Sequence, residues 1–343
     1  MRVAVYYSNN DIRLEERPTP VIGPGEILLR TEACGICGSD TLEWYRKDRA
    51  PLILGHEVAG TIVEIGRGVR HYKIWDRVAV SHHVPCNTCH YCLNDNHTVC
   101  ETLRTTNFDP GGFSEYIRLP SINVDRGVYK LPDSVSFEEA TFIEPIACVL
   151  RGHRKIQLKK GQSLLILGCG ISGLLNLLAA KALGLHPIMM TDIDEYRMEK
   201  ARTLGADVIL SASEEVPQKV RHSNNGRGAD RVILTTGAPS AIEQALASVD
   251  RAGVILFFAP IKDNTPFPLP INDIFWRHEG TLTSTYAAAP DDHREALEMI
   301  TERKIDPSSL ITHQLKLDET QKGFQLTAKP DRSLKVIIKP HLH

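Results

Sequence analysis

The segment LLILGCGISGLL constrains the fold of this chain more than any other stretch of the sequence. Four apolar residues predict a buried strand, and a G-x-G-x-x-G pattern separates that strand from an apolar helix. In this context Gly168 allows a tight turn, Gly170 lets a pyrophosphate approach the backbone, and Gly173 lets the helix pack close to the strand. The helix starts near Ile171 and Ser172, so its unpaired N–H groups would face that pyrophosphate. The segment predicts a dinucleotide-binding loop.

Strand-like and helix-like segments alternate from about residue 160 onward. The apolar runs SLLILG, HPIMMTDID, ADRVILTTG and GVILFFAP are separated by helical patterns, which indicates a parallel sheet covered by helices. The earlier part of the chain instead has short strands rich in Val, Ile and Thr, and the last fifty residues return to a helix and edge strands. We predict an α/β fold with a β-rich domain over 1–149, which 287–343 rejoin, and a doubly wound Rossmann domain over 150–286.

The strand after the glycine loop ends in Asp192. A carboxylate at this position can accept hydrogen bonds from both ribose hydroxyls of NAD and would repel the 2′-phosphate of NADP. We therefore predict that the cofactor is NAD. Arg197 is the counter-argument, because an arginine near this position can bind a phosphate. Asp192 has an alternative role as a cap for the helix that begins with EYRMEK.

Four cysteines lie close together in the segment PCNTCHYCLNDNHTVC. Their spacings of two, two and seven residues suit a closed tetrahedral site for one structural Zn²⁺. An iron–sulfur cluster is the main alternative, but the common ferredoxin pattern has its fourth cysteine after three residues and then a proline. We predict a structural zinc bound by Cys86, Cys89, Cys92 and Cys100, and we expect the neighbouring His82, His83, His90 and His97 to face solvent.

The composition excludes several other classes of protein. The chain has 343 residues, which is enough for two domains, and its net charge is 40 − 42 = −2. There is thus no basic surplus to indicate a nucleic-acid partner, and no basic amphipathic helix to indicate a membrane surface. The first twenty residues lack the apolar run of a secretory signal. We expect a cytoplasmic protein with no nucleic-acid or membrane partner.

Three further segments contain possible metal ligands. The C-x-x-C of ACGICGSD is compatible with a redox pair, half of a zinc site, or two unrelated buried thiols. The segment LGHEVAG contains His56 beside Glu57, and histidine is a common zinc ligand, although a single histidine is weak evidence. In TFIEPIACVL, Glu144 interrupts an apolar run, where an unpaired carboxylate is costly and a metal ion would compensate its charge.

Together these motifs resemble those of the zinc-dependent medium-chain dehydrogenases, the superfamily of alcohol, polyol and threonine dehydrogenases. The matching motifs, in order, are CGICGSD at 34–40, G-H-E-x2-G-x5-G-x2-V at 55–69, the four-cysteine loop at 86–100 and the glycine pattern at 168–173. The segments GGFSEYI and IEPIACV also match, and the latter is similar to the sorbitol-dehydrogenase-like branch. The resemblance covers nearly the whole chain and implies a GroES-like catalytic domain joined to a Rossmann NAD-binding domain.

The resemblance implies a catalytic Zn²⁺ held by Cys37, His56 and a carboxylate. Glu144 would be the third protein ligand or would hold a metal-bound water. Glu57 is the other carboxylate within reach, and in similar enzymes it can move onto the metal. The sequence does not divide the roles between the two carboxylates, and an ion pair with a nearby arginine is the structural alternative for Glu57.

Asp40 and Ser39 also match residues with roles in this family. Asp40 would accept the ring N–H of the histidine ligand and fix its tautomer, and Ser39 would contact the substrate oxygen. Many relatives carry a histidine three residues after this serine that passes the proton to solvent, but this chain has Leu42 there. We therefore expect the proton to leave through Ser39, the cofactor ribose and water, or through Glu144. Cys34 is expected to be a buried neighbour.

Two other positions depart from the family pattern. Sorbitol-type enzymes carry an Arg-Tyr pair where this chain has Thr283 and Ser284, which argues against sorbitol itself as the substrate. The usual glycine of a GDRV motif is Trp75 in this chain, which we interpret as a variant of a turn with no chemical consequence.

The resemblance and the residues together predict the function. We expect an NAD-dependent zinc oxidoreductase that interconverts a secondary hydroxyl and a ketone on a polyol, cyclitol or sugar-derived alcohol. Candidate pocket residues are Trp44, Tyr45 and Phe108. The alternatives are a simple alcohol or L-threonine dehydrogenase and, more remotely, a non-catalytic zinc-stabilised nucleotide-binding module. We expect two zinc ions per chain, one catalytic and one structural, and a homodimer or homotetramer.

Overall fold

The order of strands and helices divides the chain into two units. The computed structural model describes residues 1–262, 265–329 and 331–342. Unit 1 comprises Met1–Ala147 with Ala287–His343, and unit 2 comprises Cys148–Tyr286. The first boundary lies two residues before the one expected from the sequence, within the helix Ile143–Lys155.

The regular elements are numbered in chain order. The strands are β1 (Arg2–Ser8), β2 (Asp11–Glu16), β3 (Ile27–Gly35), β4 (Glu57–Ile65), β5 (Arg77–Val80), β6 (Tyr116–Leu119), β7 (Val128–Lys130), β8 (Leu164–Leu167), β9 (Ile188–Asp192), β10 (Val208–Ser211), β11 (Ala229–Leu234), β12 (Val249–Phe257), β13 (Thr281–Ser284), β14 (Ile311–Lys316) and β15 (Lys335–Lys339). The α-helices are α1 (Glu43–Arg46), α2 (Glu101–Thr105), α3 (Ser121–Arg126), α4 (Phe137–Ala140), α5 (Ile143–Lys155), α6 (Ile171–Ala182), α7 (Glu195–Thr203), α8 (Val216–Ser223), α9 (Pro239–Ser248), α10 (Ile271–Ile274), α11 (Pro290–Thr301) and α12 (Thr320–Ala328). None of the helices in the described residues combines the length and the apolar character needed to cross a bilayer.

Unit 1 is built on a mostly antiparallel sheet. Its strand order is β14-β15-β3-β4-β5-β7, and β6 also pairs with β3. The central strand β3 is buried along most of its length, as a strand covered on both faces must be. In the register of β3 and β4, Gly35 lies opposite Glu57. The C-terminal strand β15 pairs antiparallel with β3, with Ile337 opposite Gly35. The C-terminal segment therefore completes the sheet beside the end of β3.

Unit 2 is built on a parallel sheet with the strand order β10-β9-β8-β11-β12-β13. In chain order this is 3-2-1-4-5-6, the arrangement of a doubly wound nucleotide-binding domain. Strand β8 lies at the centre, and each of its four apolar side chains is fully buried. The order reverses between β8 and β11, and ligands of such sheets bind at the carboxyl ends of the strands at this point. The predicted α/β class is confirmed, and the glycine loop lies at that point.

Trp75 occupies the turn before β5 in a backbone conformation that favours glycine. Its φ angle is 76°, and its N–H donates to the Ile62 carbonyl at 2.8 Å. The residue is 72% exposed, so its indole contributes little to the core. A left-handed backbone is strained for any residue with a Cβ. The glycine of the GDRV pattern would avoid this strain.

We expect Trp75→Gly to raise the free energy of unfolding by about 1 kcal/mol, because glycine adopts a positive φ without the clash of a Cβ. Urea-induced unfolding followed by circular dichroism measures the change. Trp75→Ala is the matched control, since it removes the indole but keeps the Cβ, and it should give no gain. Equal stabilisation by both variants would contradict the strain argument.

Candidate metal and nucleotide sites

Three of the predicted metal ligands come together in unit 1. One ligand atom each from Cys37, His56 and Glu57 lies within 4.8 Å of the other two. Cys37 follows β3, whereas His56 precedes β4 and Glu57 begins it. Because the two strands pair antiparallel, the end of β3 lies beside the start of β4. A thiolate, an imidazole and a carboxylate form a donor set that suits zinc, so the residues present fit the expected ion.

Asp40 lies beneath this cluster and orients His56. Its fully buried carboxylate accepts a hydrogen bond from the Cys37 N–H at 3.1 Å. Its Oδ1 lies 3.3 Å from His56 Nδ1 and 3.7 Å from Arg46 Nη2. Burial disfavours the charged carboxyl, but the charges of His56 and Arg46 hold the pKa of Asp40 below its usual value. Burial likewise disfavours charged His56, yet Asp40 raises the pKa of that ring well above its usual value. This contact favours the proton on Nδ1 and leaves Nε2 for a metal.

The two cysteines of the C-x-x-C have different surroundings. The Ser39 hydroxyl donates a hydrogen bond to the Cys37 sulfur at 3.3 Å, so the serine lies directly beside the ligand cluster. Cys34 is fully buried and lies outside that cluster. Burial raises the pKa of the Cys34 thiol well above its usual value, which makes it a poor nucleophile. Both cysteines are free, so only Cys37 is placed to bind a metal.

Glu57 forms a buried ion pair with Lys335 of β15. Each of the two side chains is only 1% exposed, and Lys335 Nζ also lies 3.4 Å from the Ile36 carbonyl oxygen. The partner is thus a lysine and not the arginine considered as the alternative. Gly35 makes room for the pair, since a Cβ there would lie 2.0 Å from Glu57 Oε2 and 2.7 Å from Lys335 Cε.

Lys335 was not among the predicted site residues, although the sequence contains a signal for it. The lysine begins the apolar run KVIIK, whose first four residues are buried. A charged side chain in a buried strand requires a partner, and this requirement could have drawn attention to it. The identity of that partner could not be read from the sequence, because Glu57 lies 278 residues earlier.

Glu144 lies in α5 and outside the three-ligand cluster. It lines a small pocket with Val58, Tyr129, Thr141 and His293, among others. Its charge is one of several that raise the pKa of Lys335 against the effect of burial, after those of Glu57 and Cys37. The role of Glu144 as a metal ligand, or as the group that holds a water, stays a prediction.

The expectation that His82 and His83 face solvent is wrong. The ring centroid of His82 lies 4.9 Å from that of His56 and 3.7 Å from that of His83. Among the described residues, no hydrogen-bond partner reaches the buried Nδ1 of His82. Burial lowers the pKa of His82 well below its usual value and lowers the pKa of His83 to about 4. The ring of His82 therefore packs beside His56 and against that of His83. His82, His83 and His97 are partly buried, whereas His90 is exposed.

The candidate pocket residues differ in exposure. Phe108 is 4% exposed and belongs to the main core of unit 1. Trp44 and Tyr45 are each 37% exposed on the short helix α1. The Tyr45 ring has two arginine guanidinium groups 4.8 and 4.7 Å from its centroid. Contact of these side chains with a substrate stays a prediction.

The four-cysteine loop has the dimensions of a tetrahedral metal site. Its sulfur atoms lie 3.9 Å apart for Cys86 and Cys92, 3.6 Å for Cys89 and Cys92, and 3.6 Å for Cys86 and Cys100. Zn–S bonds of about 2.3 Å in a tetrahedron place the sulfurs about 3.8 Å apart, whereas a disulfide requires about 2.05 Å. All four cysteines are free. The loop fits one zinc ion with no open coordination position.

The glycine loop of unit 2 has the shape that a pyrophosphate requires. Gly168 has a φ angle of 108°, which allows the tight turn after β8. A Cβ on Gly173 would lie 1.9 Å from the Gly168 carbonyl oxygen, so only glycine permits this approach of α6 to the turn. A Cβ on Gly170 would meet no atom within 4 Å, so the backbone is open there. Ile171 and Ser172 begin α6, where N–H groups lack partners within the helix. These features fit a dinucleotide.

Asp192 ends β9 and contacts the glycine loop. One of its carboxylate oxygens accepts a hydrogen bond from the Cys169 N–H at 2.7 Å. The other accepts hydrogen bonds from the N–H groups of Ile193 and Asp194, at 2.8 and 3.0 Å. The buried Nε of Arg197 has no hydrogen-bond partner among the residues that the structure describes. The structure thus places both the acidic and the basic candidate of the cofactor site in this loop region, and the cap of α7 is Asp194.

Comparison with known families assigns both units. Residues 23–133 match the alcohol dehydrogenase GroES-like domain, and residues 172–302 match the zinc-binding dehydrogenase family. The sorbitol dehydrogenase of Bacillus subtilis (strain 168) is 32% identical over 99% of this chain and 98% of its own length.

Solved structures share the fold of the whole chain. The 2R,3R-butanediol dehydrogenase from Bacillus subtilis has a TM-score of 0.86 at 28% identity, with 99% of both chains covered. A zinc-binding dehydrogenase from Sinorhizobium meliloti 1021, solved bound to NADP, has a TM-score of 0.88 at 24% identity over 99% of both chains. At this low identity, the likeness is evidence for a shared fold and for nothing further. The resemblance inferred from the motifs is thus confirmed, and the chain belongs to the zinc-binding dehydrogenase family with a GroES-like domain.

Proposed function

We propose that the protein is a zinc-dependent NAD oxidoreductase that interconverts a secondary hydroxyl and a ketone on a polyol, cyclitol or sugar-derived alcohol. The observation that carries the proposal is the cluster of Cys37, His56 and Glu57, whose ligand atoms lie within 4.8 Å of one another. The closed four-cysteine loop and the open backbone at Gly170 support a structural zinc and a bound dinucleotide.

Two relatives narrow the substrate class. The B. subtilis relative at 32% identity is named for sorbitol, and the structural relative at 28% identity is named for 2R,3R-butanediol. Both compounds have a secondary hydroxyl next to a second hydroxyl, so a vicinal diol is the substrate feature that we propose. A simple alcohol or L-threonine dehydrogenase is the alternative. By analogy with the family we also propose a homodimer or homotetramer in the cytoplasm.

The residues of unit 1 have different roles in the proposed reaction. When bound, zinc would act as a Lewis acid that lowers the pKa of an alcohol hydroxyl, and NAD would accept the hydride. Cys37 and His56 supply two donor atoms, and Asp40 favours the proton on His56 Nδ1 so that Nε2 carries the free lone pair. The neutral ring of His82 packs beside His56 and against the neutral ring of His83.

The hydroxyl proton must leave the site as the ketone forms. The Ser39 hydroxyl is held beside the donor set by its hydrogen bond to Cys37 Sγ and can accept and pass on a proton. Leu42 cannot continue the relay. We propose that the proton continues from Ser39 through the cofactor ribose and water, or leaves through Glu144.

A substrate panel with both cofactors tests the proposed function. We expect reduction of NAD by polyols and by butane-2,3-diol with a kcat/KM at least about tenfold above that for butan-2-ol, which lacks the second hydroxyl. NAD should be preferred to NADP by on the order of 100-fold, because Asp192 repels a 2′-phosphate.

Two variants separate the roles of the cofactor residues. Asp192→Ser should reduce the preference for NAD, whereas Arg197→Gln should lower the use of NADP more than that of NAD. A higher kcat/KM with NADP in the unaltered protein would overturn the assignment of Asp192, and turnover of L-threonine alone would favour the alternative function.

We expect Ser39→Ala to lower kcat for alcohol oxidation near neutral pH by on the order of 100-fold, because the first proton acceptor is lost. Ser39→Thr keeps a hydroxyl and should retain most of the activity. Steady-state kinetics in both directions measures these effects. A kcat for Ser39→Ala within about threefold of the unaltered protein would exclude the hydroxyl relay.

Elemental analysis should find two zinc ions per chain in the unaltered protein. Cys37→Ser should lose one zinc and all activity, because a catalytic ligand is removed. Cys34→Ser is the matched control and should keep both zinc ions and the activity, since that thiol lies outside the ligand cluster. Cys89→Ser should lose the other zinc and lower the thermal stability. One tightly held zinc with no turnover would indicate the non-catalytic module instead.

A further inference from the structure

Lys335 is a buried lysine whose ammonium group lies next to the ligand cluster. It is 1% exposed and forms an ion pair with Glu57, which is equally buried. The Nζ atom lies 5.5 Å from the centroid of the Phe142 ring, so one side of the charge faces an apolar surface. An ammonium group in such surroundings persists only with a close counter-charge, and Glu57 provides it.

The sheet register brings this charge to the metal ligands. Ile337 lies opposite Gly35 in the antiparallel pairing of β15 with β3, and the Ile36 N–H donates to the Val336 carbonyl at 2.9 Å. The same register continued by two residues places Lys335 level with Cys37. The ammonium therefore contacts the carboxylate of the ligand cluster, and the charge of Cys37 also acts on it.

A dication in this cluster and Lys335 would share one carboxylate. Glu57 would then have two positive partners, the metal and the ammonium, at distances where charges interact strongly in a poorly hydrated environment. The two cations also repel each other. The metal therefore weakens the binding of Lys335 to Glu57, and Lys335 weakens the binding of the metal to Glu57. This is a negative thermodynamic coupling between the two contacts.

We propose that Lys335 is a positioning residue that acts as a built-in counter-ion for Glu57: it holds the carboxylate in place without metal and competes with the bound metal for it. The inference rests on the proposed zinc site and deepens it. Lys335 thereby sets how strongly Glu57 binds the metal. With Lys335 present, removal of Glu57 lowers the affinity for the metal by more than the loss of one ligand would. The reason is that an unpaired ammonium would then face the metal.

Metal titration of four variants tests this coupling. The full chain is dialysed against a chelator until one zinc per chain remains, and Co²⁺ is then added while the visible absorption of the second site is followed. Glu57→Gln should raise the Kd for Co²⁺ by on the order of 100-fold, because it leaves Lys335 uncompensated beside the ion. Adding Lys335→Met to that variant should recover at least about tenfold of the loss, since the repelling charge is gone.

The remaining variants separate positioning from packing. Lys335→Arg keeps the charge and should retain the Co²⁺ spectrum and affinity. Lys335→Met alone should show a larger rise in Tm on metal addition than the unaltered chain, because the metal then supplies the missing counter-charge. Lys339→Met is the matched control, since Lys339 lies on the same strand and pairs with Glu138 outside the cluster. It should leave the metal response unchanged.

The outcomes distinguish this inference from the proposed function. A double variant that binds Co²⁺ no more tightly than Glu57→Gln would overturn the role of Lys335 while leaving the metal site intact. Absence of any Cys37-dependent Co²⁺ absorption in the unaltered chain would overturn the proposed zinc site, and the inference with it. The double variant is neutral at both positions, so it tests the coupling even if Lys335→Met alone fails to fold.

Discussion

The arrangement of unit 1 depends on the burial of charge at the end of strand β3. Glu57 and Lys335 are almost fully excluded from water, and each is stable there only because the other is present. The pair requires three strands in one register, with β4 on one side of β3 and β15 on the other. It also requires the absence of a side chain at Gly35. The same constraint positions Cys37, two residues after the end of β3, and His56, immediately before β4.

The two proposed metal sites are built in different ways. The four-cysteine loop takes all its ligands from one short segment, and its sulfur atoms already have tetrahedral spacing. The cluster around Cys37 takes its ligands from the segment after β3 and from the start of β4, and its charge balance depends on a third strand, β15. A closed local site with four protein ligands suits a stabilising role, whereas a site with three protein ligands leaves a coordination position for a substrate.

Local features could be predicted from the sequence, and non-local ones could not. The glycine loop and the four cysteines lie in short segments, where spacing limits the geometry strongly. The α/β class followed from the alternation of strands and helices, which the parallel sheet of unit 2 confirms. The position of His82 was predicted wrongly, because four cysteines suffice for one metal ion and left this histidine without a role, and only the folded chain brings its ring against His56. Only the folded register brings Lys335 to Glu57, across 278 residues.

The long separation between Glu57 and Lys335 also has a consequence for biosynthesis. A ribosome completes Cys37, His56 and Glu57 early, but it adds strand β15 nearly 280 residues later. Until β15 pairs with β3, the carboxylate has no ammonium partner and must stay hydrated or bind another cation. The buried arrangement therefore cannot close during synthesis of the first unit's N-terminal part. A strand made long after the ligand residues therefore completes the buried ion pair beside them.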